Sequence, residues 1–147
     1  MLEIERKFLI KDRSLLDPLL GQGVFIRQGY LFDALDQSLR VRIKSKKAFL
    51  TLKFGSSALI REEFEYEIPL EDAEQLWLRC TKKLSKTRYV LPILGDIWEV
   101  DVFHDRHEGL ILAEIELTDL EQGFHRPPWL GLEVTNDSRY LNVNLAY

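Results

Sequence analysis

The chain has 147 residues, 46% hydrophobic and 30% charged, with a net charge of −4. This composition describes one globular domain, residues 1–147, with enough apolar material for a core. It excludes general attraction to nucleic acid polymers or anionic membranes, so any anion site must come from local clustering of the 20 Lys and Arg.

The opening, "MLEIERKFLI", sets Glu3, Glu5 and Lys7 at alternate positions among Leu2, Ile4, Phe8 and Ile10. On a strand, with its period of two, both carboxylates and the ammonium form one row on one face. A connector with helical turns around residues 14–20 follows, and then "VFIRQGYLF", "SLRVRIK", "AFLTLKF" and "LIREEFEYEIP" read as strands. Within "RQGYL", Arg27 and Tyr30 share a face only if Gly29 sits in a bulge. "LEDAEQLWLRC" is the one clear helix, capped by Glu71 or Asp72, with Leu76 and Cys80 on its apolar side. Cys80 is the only cysteine, so it reads as a small buried apolar residue in a reducing compartment. "KLSKTRYVL", "DIWEVDVF" and "LILAEIEL" complete eight strands, and "GSS", "LGD" and "HEG" mark turns between strands. Short helical turns are expected after Asp119 and in "RYLNVNLAY". Eight strands with mostly short connections predict an antiparallel meander, either an open sheet or a closed barrel. No N-terminal basic run leads into an apolar stretch, and no apolar run approaches the roughly 18 residues of a membrane span. A cytoplasmic protein is expected.

Every strand except "VFIRQGYLF" carries a charged row beside an apolar one. Arg40, Arg42 and Lys44 alternate with Leu39, Val41 and Ile43, and Lys53 with Leu52 and Phe54. Arg61, Glu63, Glu65 and Glu67 oppose Phe64, Tyr66 and Ile68, while Lys86 and Arg88 oppose Thr87 and Tyr89. Glu99 and Asp101 oppose Trp98 and Val100, and Glu114 and Glu116 oppose Ala113 and Ile115. A solvated sheet face over a helix-packed core would show the same two rows. Two features point elsewhere. The signs are segregated by strand, and like charges repeat as doublets (E-x-E, R-x-R, K-x-R) on one side of one strand. Like charges roughly 4 to 7 Å apart repel by about 2 to 4 kcal/mol at an effective dielectric near 20, so each doublet asks for a counter-ion. Acidic doublets ask for a divalent cation and basic ones for a polyanion.

"EIERKFLI" resembles the E-x-E-x-K signature of the CYTH proteins, the triphosphate tunnel metalloenzymes. "IRQGYL", "LRVRIK", "LTLKFG", "REEFEYEIP", "KTRYVLP", "WEVDVF", "GLILAEIEL", "PPWLGLEVT" and "RYLNVNLA" resemble that family's blocks in its order, nearly end to end. The resemblance implies an eight-stranded antiparallel β-barrel, a mainly β (α+β) fold, whose charged inner face forms a tunnel and whose apolar outer face is partly covered by helices. It implies metal-dependent hydrolysis of a triphosphate, in a short bacterial-type inorganic triphosphatase. Glu3, Glu5, Glu114 and Glu116 match the metal side, with Glu63 and Asp101 as further acidic candidates. Oxygen ligands suit Mg²⁺ or Mn²⁺. Lys7, Arg40, Arg42, Lys53, Lys86 and Arg88 match the triphosphate cradle, with Arg61 beside them, and Lys86 and Tyr30 are candidates to assist the attacking water. The alternative to placing Tyr30 in the site is a packing role.

The expected partners are inorganic triphosphate or an organic triphosphate, with no nucleic acid polymer and no membrane, in a monomer or homodimer. Nucleoside or thiamine triphosphatase, adenylate cyclase and a non-catalytic polyphosphate- or nucleotide-binding module are the rival readings; the cyclase and the thiamine enzyme would require an added organic pocket. His104, His107 and His125 lack the spacing of a metal motif and lie near turns, and no Walker A loop or G-x-G-x-x-G is present. Trp77, Trp98 and Trp129 are expected to pack on the outer face, and "PPWLGLEVT" to anchor the C-terminal segment. The chain stops at Tyr147, just after "NVNLA", where relatives often continue with a little more helix, which leaves closure of one tunnel end open.

Overall fold

Alternating segments need a partner on both edges and a cover on the apolar face. The computed structural model, which describes residues 1–34 and 36–147, supplies both. The strands are β1 (Leu2–Ile10), β2 (Val24–Ala34), β3 (Gln37–Lys44), β4 (Lys47–Phe54), β5 (Ile60–Ile68), β6 (Lys82–Ile93), β7 (Asp96–Phe103), β8 (Ile111–Leu117) and β9 (Leu130–Glu133). The helices are α1 (Arg13–Leu16), α2 (Leu70–Trp77) and α3 (Asn142–Leu145). None among the described residues is long and apolar enough to cross a membrane.

The sheet runs β5-β4-β3-β2-β6-β7-β8-β1, and β1 returns to β5, closing an eight-stranded antiparallel barrel. Closure uses only the start of β1, where Leu2, Glu3 and Ile4 face Glu62, Arg61 and Ile60. Further along the same edge, Phe8 and Ile10 pair with β9. This ninth strand comes from "PPWLGLEVT", expected only as an anchor. Four residues, Leu130 to Glu133, are too short a run to signal a strand on their own; they pair because β1 offers a free edge. Two left-handed residues, Leu94 (φ 48°) and Gly95 (φ 86°), join Ile93 to its partner Asp96 as a two-residue hairpin turn of the type that matches strand twist.

Most of the apolar core lies outside the barrel. On one flank Phe8, Trp98, Val100 and Ile115 pack under α1 and the 118–130 segment, which brings in Phe124 and Trp129. Trp98 sits edge-on to Phe8, Phe124 and Trp129 at 5.6 to 5.7 Å between ring centroids. On another flank Val41, Ile43 and Ala48 pack under Ala73 of α2, with Trp77 against them. A third cluster fills one end of the lumen, where Leu145 and Ala146 meet Tyr30, Leu84, Phe103 and Leu112. The C-terminal segment therefore packs into that end of the lumen.

Local expectations change in three places. Pro69, not Asp72 or Glu71, is the N-cap of α2; both acids lie in the first turn, where they favour the helix dipole instead. Cys80 lies beyond the helix rather than within it, although it is buried as expected. The segment after Asp119 turns without becoming helical. Gly29 is not in a bulge: β2 pairs in regular register with β3 and β6 from Ile26 to Tyr30, and the irregularity falls between Tyr30 and Phe32. Arg27 therefore points outward, bonded to Glu74 and stacked on Trp77. Tyr30 points inward.

Gly29 serves the outer packing. A Cβ there would lie 2.6 Å from Cys80 Sγ and 2.8 Å from Cys80 Cβ. Gly29→Ala is expected to push the turn after α2 off the barrel and destabilise the protein by about 1–3 kcal/mol; urea unfolding measures the loss, and an unchanged midpoint would contradict it.

Candidate active site in the tunnel

Closing the barrel turns the charged rows into its lining. Registers place Glu3, Glu5 and Lys7 of β1 beside Arg61 of β5 and Glu116 and Glu114 of β8. They place Arg40 and Arg42 of β3 level with Tyr30 and Gln28 of β2, and Arg88 of β6 level with Asp101 of β7. Strand order then sorts the signs around the circumference. β7, β8, β1 and β5 form a mainly acidic arc, and β4, β3, β2 and β6 a basic one.

The two arcs neutralise each other where they meet. Lys86 is fully buried and lies 2.7 Å from Asp101, which Arg88 also grips through Nε at 2.7 Å and Nη2 at 2.8 Å. Arg88 reaches Glu99 at 3.1 Å with its remaining arm. Lys53 pairs with Glu3 at 2.9 Å and approaches Glu63 at 3.6 Å, Arg61 pairs with Glu5 at 3.4 Å, and Lys7 with Glu114 at 3.4 Å. Burial works against ionisation of Asp101, but Arg88 and Lys86 override it and hold the carboxyl far below its usual range. Burial pushes the Lys86 ammonium down to about 7 against the pull of Asp101, with Arg88 and Arg42 adding to the effect.

Arg40 and Arg42 stand apart. Arg40 is 6% exposed, its closest carboxylate, on Glu65, is 3.9 Å away, and its Nε has no hydrogen-bond partner. Arg42 has no carboxylate within 4.0 Å among the described residues; both its bonds go to the neutral amide of Gln28, at 3.0 and 2.9 Å. Burial lowers Arg42 to about 9, with Arg40 and Arg88 repelling it. Two adjacent guanidiniums without a matched anion leave the basic arc short of negative charge at its centre.

The lumen thus gathers Lys7, Tyr30, Arg40, Arg42, Lys53, Arg61, Lys86 and Arg88 with Glu3, Glu5, Glu63, Glu114 and Glu116. Asp101 is there as well, but with both oxygens engaged by Lys86 and Arg88. Two lining residues lie outside the charged rows read from the sequence: Gln28 is uncharged but two positions from Tyr30, and Asn142 reaches Lys86 from the C-terminal segment at 3.4 Å. The strand period places the first on the inner face. The second depends on how the chain end folds back.

A family model of the CYTH domain matches residues 1–145. The chain belongs to this family. It is 46% identical over 146 residues to an inorganic triphosphatase of Acetivibrio thermocellus, covering 98% of this chain and 92% of that protein. It is 41% identical over 152 residues to an inorganic triphosphatase of Nitrosomonas europaea, covering 99% and 97%. The crystal structure of the inorganic triphosphatase NE1496 superposes with a TM-score of 0.68 at 37% identity, covering 98% of this chain and 93% of that one.

The acidic arc of this CYTH barrel fits a hard cation in donor chemistry. Glu63 Oε2 is buried without a hydrogen-bond partner, and burial together with the charges of Glu3, Glu5 and Glu99 lifts the Glu116 carboxyl above its usual range. These are oxygen donors crowded by their own repulsion, which is what Mg²⁺ or Mn²⁺ relieves. Among the described residues no three acidic or histidine side chains share one ion position, since Glu3 and Glu5 are turned to Lys53 and Arg61.

The Glu116 shift carries a sign that can be tested. Its folded value lies above the 4.5 of a free glutamate, so ionised Glu116 destabilises the empty barrel above that window, and the penalty disappears once the group is protonated in both states. Glu116→Gln is expected to raise the melting temperature near neutral pH and to leave it unchanged below about pH 4.5. Thermal melts at the two pH values give the comparison, and a loss of stability at neutral pH would contradict the crowding.

Proposed function

We propose that this CYTH barrel hydrolyses inorganic triphosphate with the help of Mg²⁺ or Mn²⁺. The observation that carries the reading is the Arg40–Arg42 pair, facing the lumen with no carboxylate within 4.0 Å of Arg42 and only Glu65 at 3.9 Å from Arg40, while every other cation of the cradle has a carboxylate at 3.4 Å or less. A linear polyanion with several terminal oxygens per phosphate satisfies two forked donors at once. The 41–46% identity to two proteins named inorganic triphosphatase supports the same substrate.

In the reaction a water oxygen bonds to a terminal phosphorus as the anhydride oxygen leaves, giving orthophosphate and pyrophosphate. Arg40 and Arg42 hold the chain, with Lys7, Lys53 and Arg61 exchanging their carboxylates for phosphate oxygens and Arg88 turning its Glu99-bound arm to them while it keeps Asp101. Glu3, Glu5, Glu114 and Glu116, with Glu63 beside them, would hold a divalent cation, and Asp101 serves as the counter-ion of Lys86 and Arg88. When bound, the cation supplies charge neutralisation on the phosphate oxygens. Lys86, whose proton is loosened by burial, exchanges a proton at Nζ with the water or the leaving oxygen. The buried, unpaired Cys80 accords with a cytoplasmic setting.

Phosphate release from tripolyphosphate, ATP and thiamine triphosphate, with and without Mg²⁺ or Mn²⁺, tests the substrate. Tripolyphosphate is expected to give the highest kcat/KM and none of the three to turn over without metal; a preference for ATP or thiamine triphosphate would overturn the reading. Arg40→Ala is expected to raise KM about 10-fold or more, the cost of a charge-assisted bond. Lys86→Ala is expected to lower kcat about 100-fold or more with a smaller change in KM. Steady-state kinetics of the two variants side by side separate holding from chemistry, and a KM-dominated loss in Lys86→Ala would make Lys86 an ordinary phosphate ligand.

A further inference from the structure

Gln28 is completely buried in the tunnel wall, between Arg42 on the next strand and Tyr30 two positions along its own. Arg42 donates to Gln28 Oε1 from Nε at 3.0 Å and from Nη2 at 2.9 Å. A guanidinium has donors only, so the amide has one permitted orientation, with oxygen toward Arg42 and nitrogen toward Tyr30. Gln28 Nε2 then donates to the Tyr30 hydroxyl oxygen at 2.9 Å. The hydroxyl oxygen is the acceptor in this bond, so its own proton is directed elsewhere. Among the described residues it donates to no protein acceptor, and Tyr30 faces the lumen beside Arg40.

We propose that Gln28 is a positioning residue that fixes the Tyr30 hydroxyl as a hydrogen-bond donor to a phosphate oxygen of the bound triphosphate. The proposal rests on the triphosphatase reading for the identity of the acceptor, but the polarity follows from Arg42, Gln28 and Tyr30 alone. Every bond in the chain runs the same way: guanidinium N–H to amide oxygen, amide N–H to hydroxyl oxygen, hydroxyl proton to the lumen. Bonds aligned in this sense polarise one another, so the charge of Arg42 makes the Tyr30 proton a stronger donor. The chain also accounts for Arg42 having an amide partner rather than a carboxylate. A glutamate at position 28 would accept from both neighbours and turn the Tyr30 proton away from the lumen. Tyr30 in this arrangement is an oxyanion donor, and accepting a proton from the attacking water is not its task.

The test is a double-mutant cycle on kcat/KM for tripolyphosphate with Mg²⁺, using Gln28→Leu, Tyr30→Phe and the pair. Each single change is expected to cost about 10-fold, the worth of a bond to a charged group, and the pair little more than the larger single loss. Losses that multiply would show that Gln28 acts independently of Tyr30 and overturn the proposal. A second measurement needs no turnover. NMR of the Gln28 side-chain amide in the intact protein is expected to show two distinct Nε2 protons, one of which loses its protection from exchange in Tyr30→Phe while backbone spectra stay native-like. An amide unaffected by Tyr30→Phe would overturn the polarity even if tripolyphosphate proved not to be the substrate. Conversely, a wild-type enzyme inert toward tripolyphosphate, with the amide responding as expected, would fault the substrate and spare the relay.

Discussion

Closing eight strands on themselves forces alternate side chains inward, and in this chain most of the inward side chains are charged. Everything else answers that constraint. A charged lumen cannot serve as the hydrophobic core, so the core moves to the outer surface, and the outer surface needs cover. The cover is assembled piecemeal, α1 with the 118–130 segment over Phe8 and Trp98 and α2 over Val41 and Ala48, while the C-terminal residues plug one end of the lumen over Leu84 and Phe103. The short helices, which look incidental in the element list, are what make a hollow barrel stable.

Inside, desolvated charges are costly unless paired. The chain reduces that cost by putting acids and bases on opposite arcs and letting the arcs meet, as Asp101 does with Lys86 and Arg88 and Glu3 does with Lys53. The pairs are of two kinds. Those around Asp101 are short, fully buried and serve as a fixed foundation. Those of Lys53, Arg61 and Lys7 are longer or more accessible and can be exchanged for those of a guest. Arg40 and Arg42 belong to neither kind, which is why they mark where an anion is wanted.

The fold was largely legible in the sequence because a period of two is unambiguous when charge and apolarity alternate as strictly as in "LRVRIK" and "WEVDV". The same alternation sorts the residues of each strand onto its two faces. It failed where structure is imposed by neighbours. β9 is too short a run to signal itself and forms on the free edge of β1, and α2 takes Pro69 as its cap despite two acids close by. The site was legible in its charges and silent in its neutral members. Gln28 has no charge to stand out, and Asn142 arrives from a segment more than fifty positions away from Lys86, a proximity that only the folded chain creates.

The divided edge of β1 also governs assembly. β1 pairs with residues 60–62 on one side at its start, with residues 112–117 on the other, and with β9 at its end. Its partners thus lie across nearly the whole chain, and none is its neighbour in sequence. Loop-closure entropy must be met over all those separations before β1 is rewarded with a single ladder bond, so its contacts are the costliest in chain entropy. The β2–β5 meander can form from local hairpins while the chain is still growing. Glu3, Glu5 and Lys7 owe their places to these distant partners, and a chain lacking β8 would be a single open sheet, β7-β6-β2-β3-β4-β5-β1, in place of a chamber.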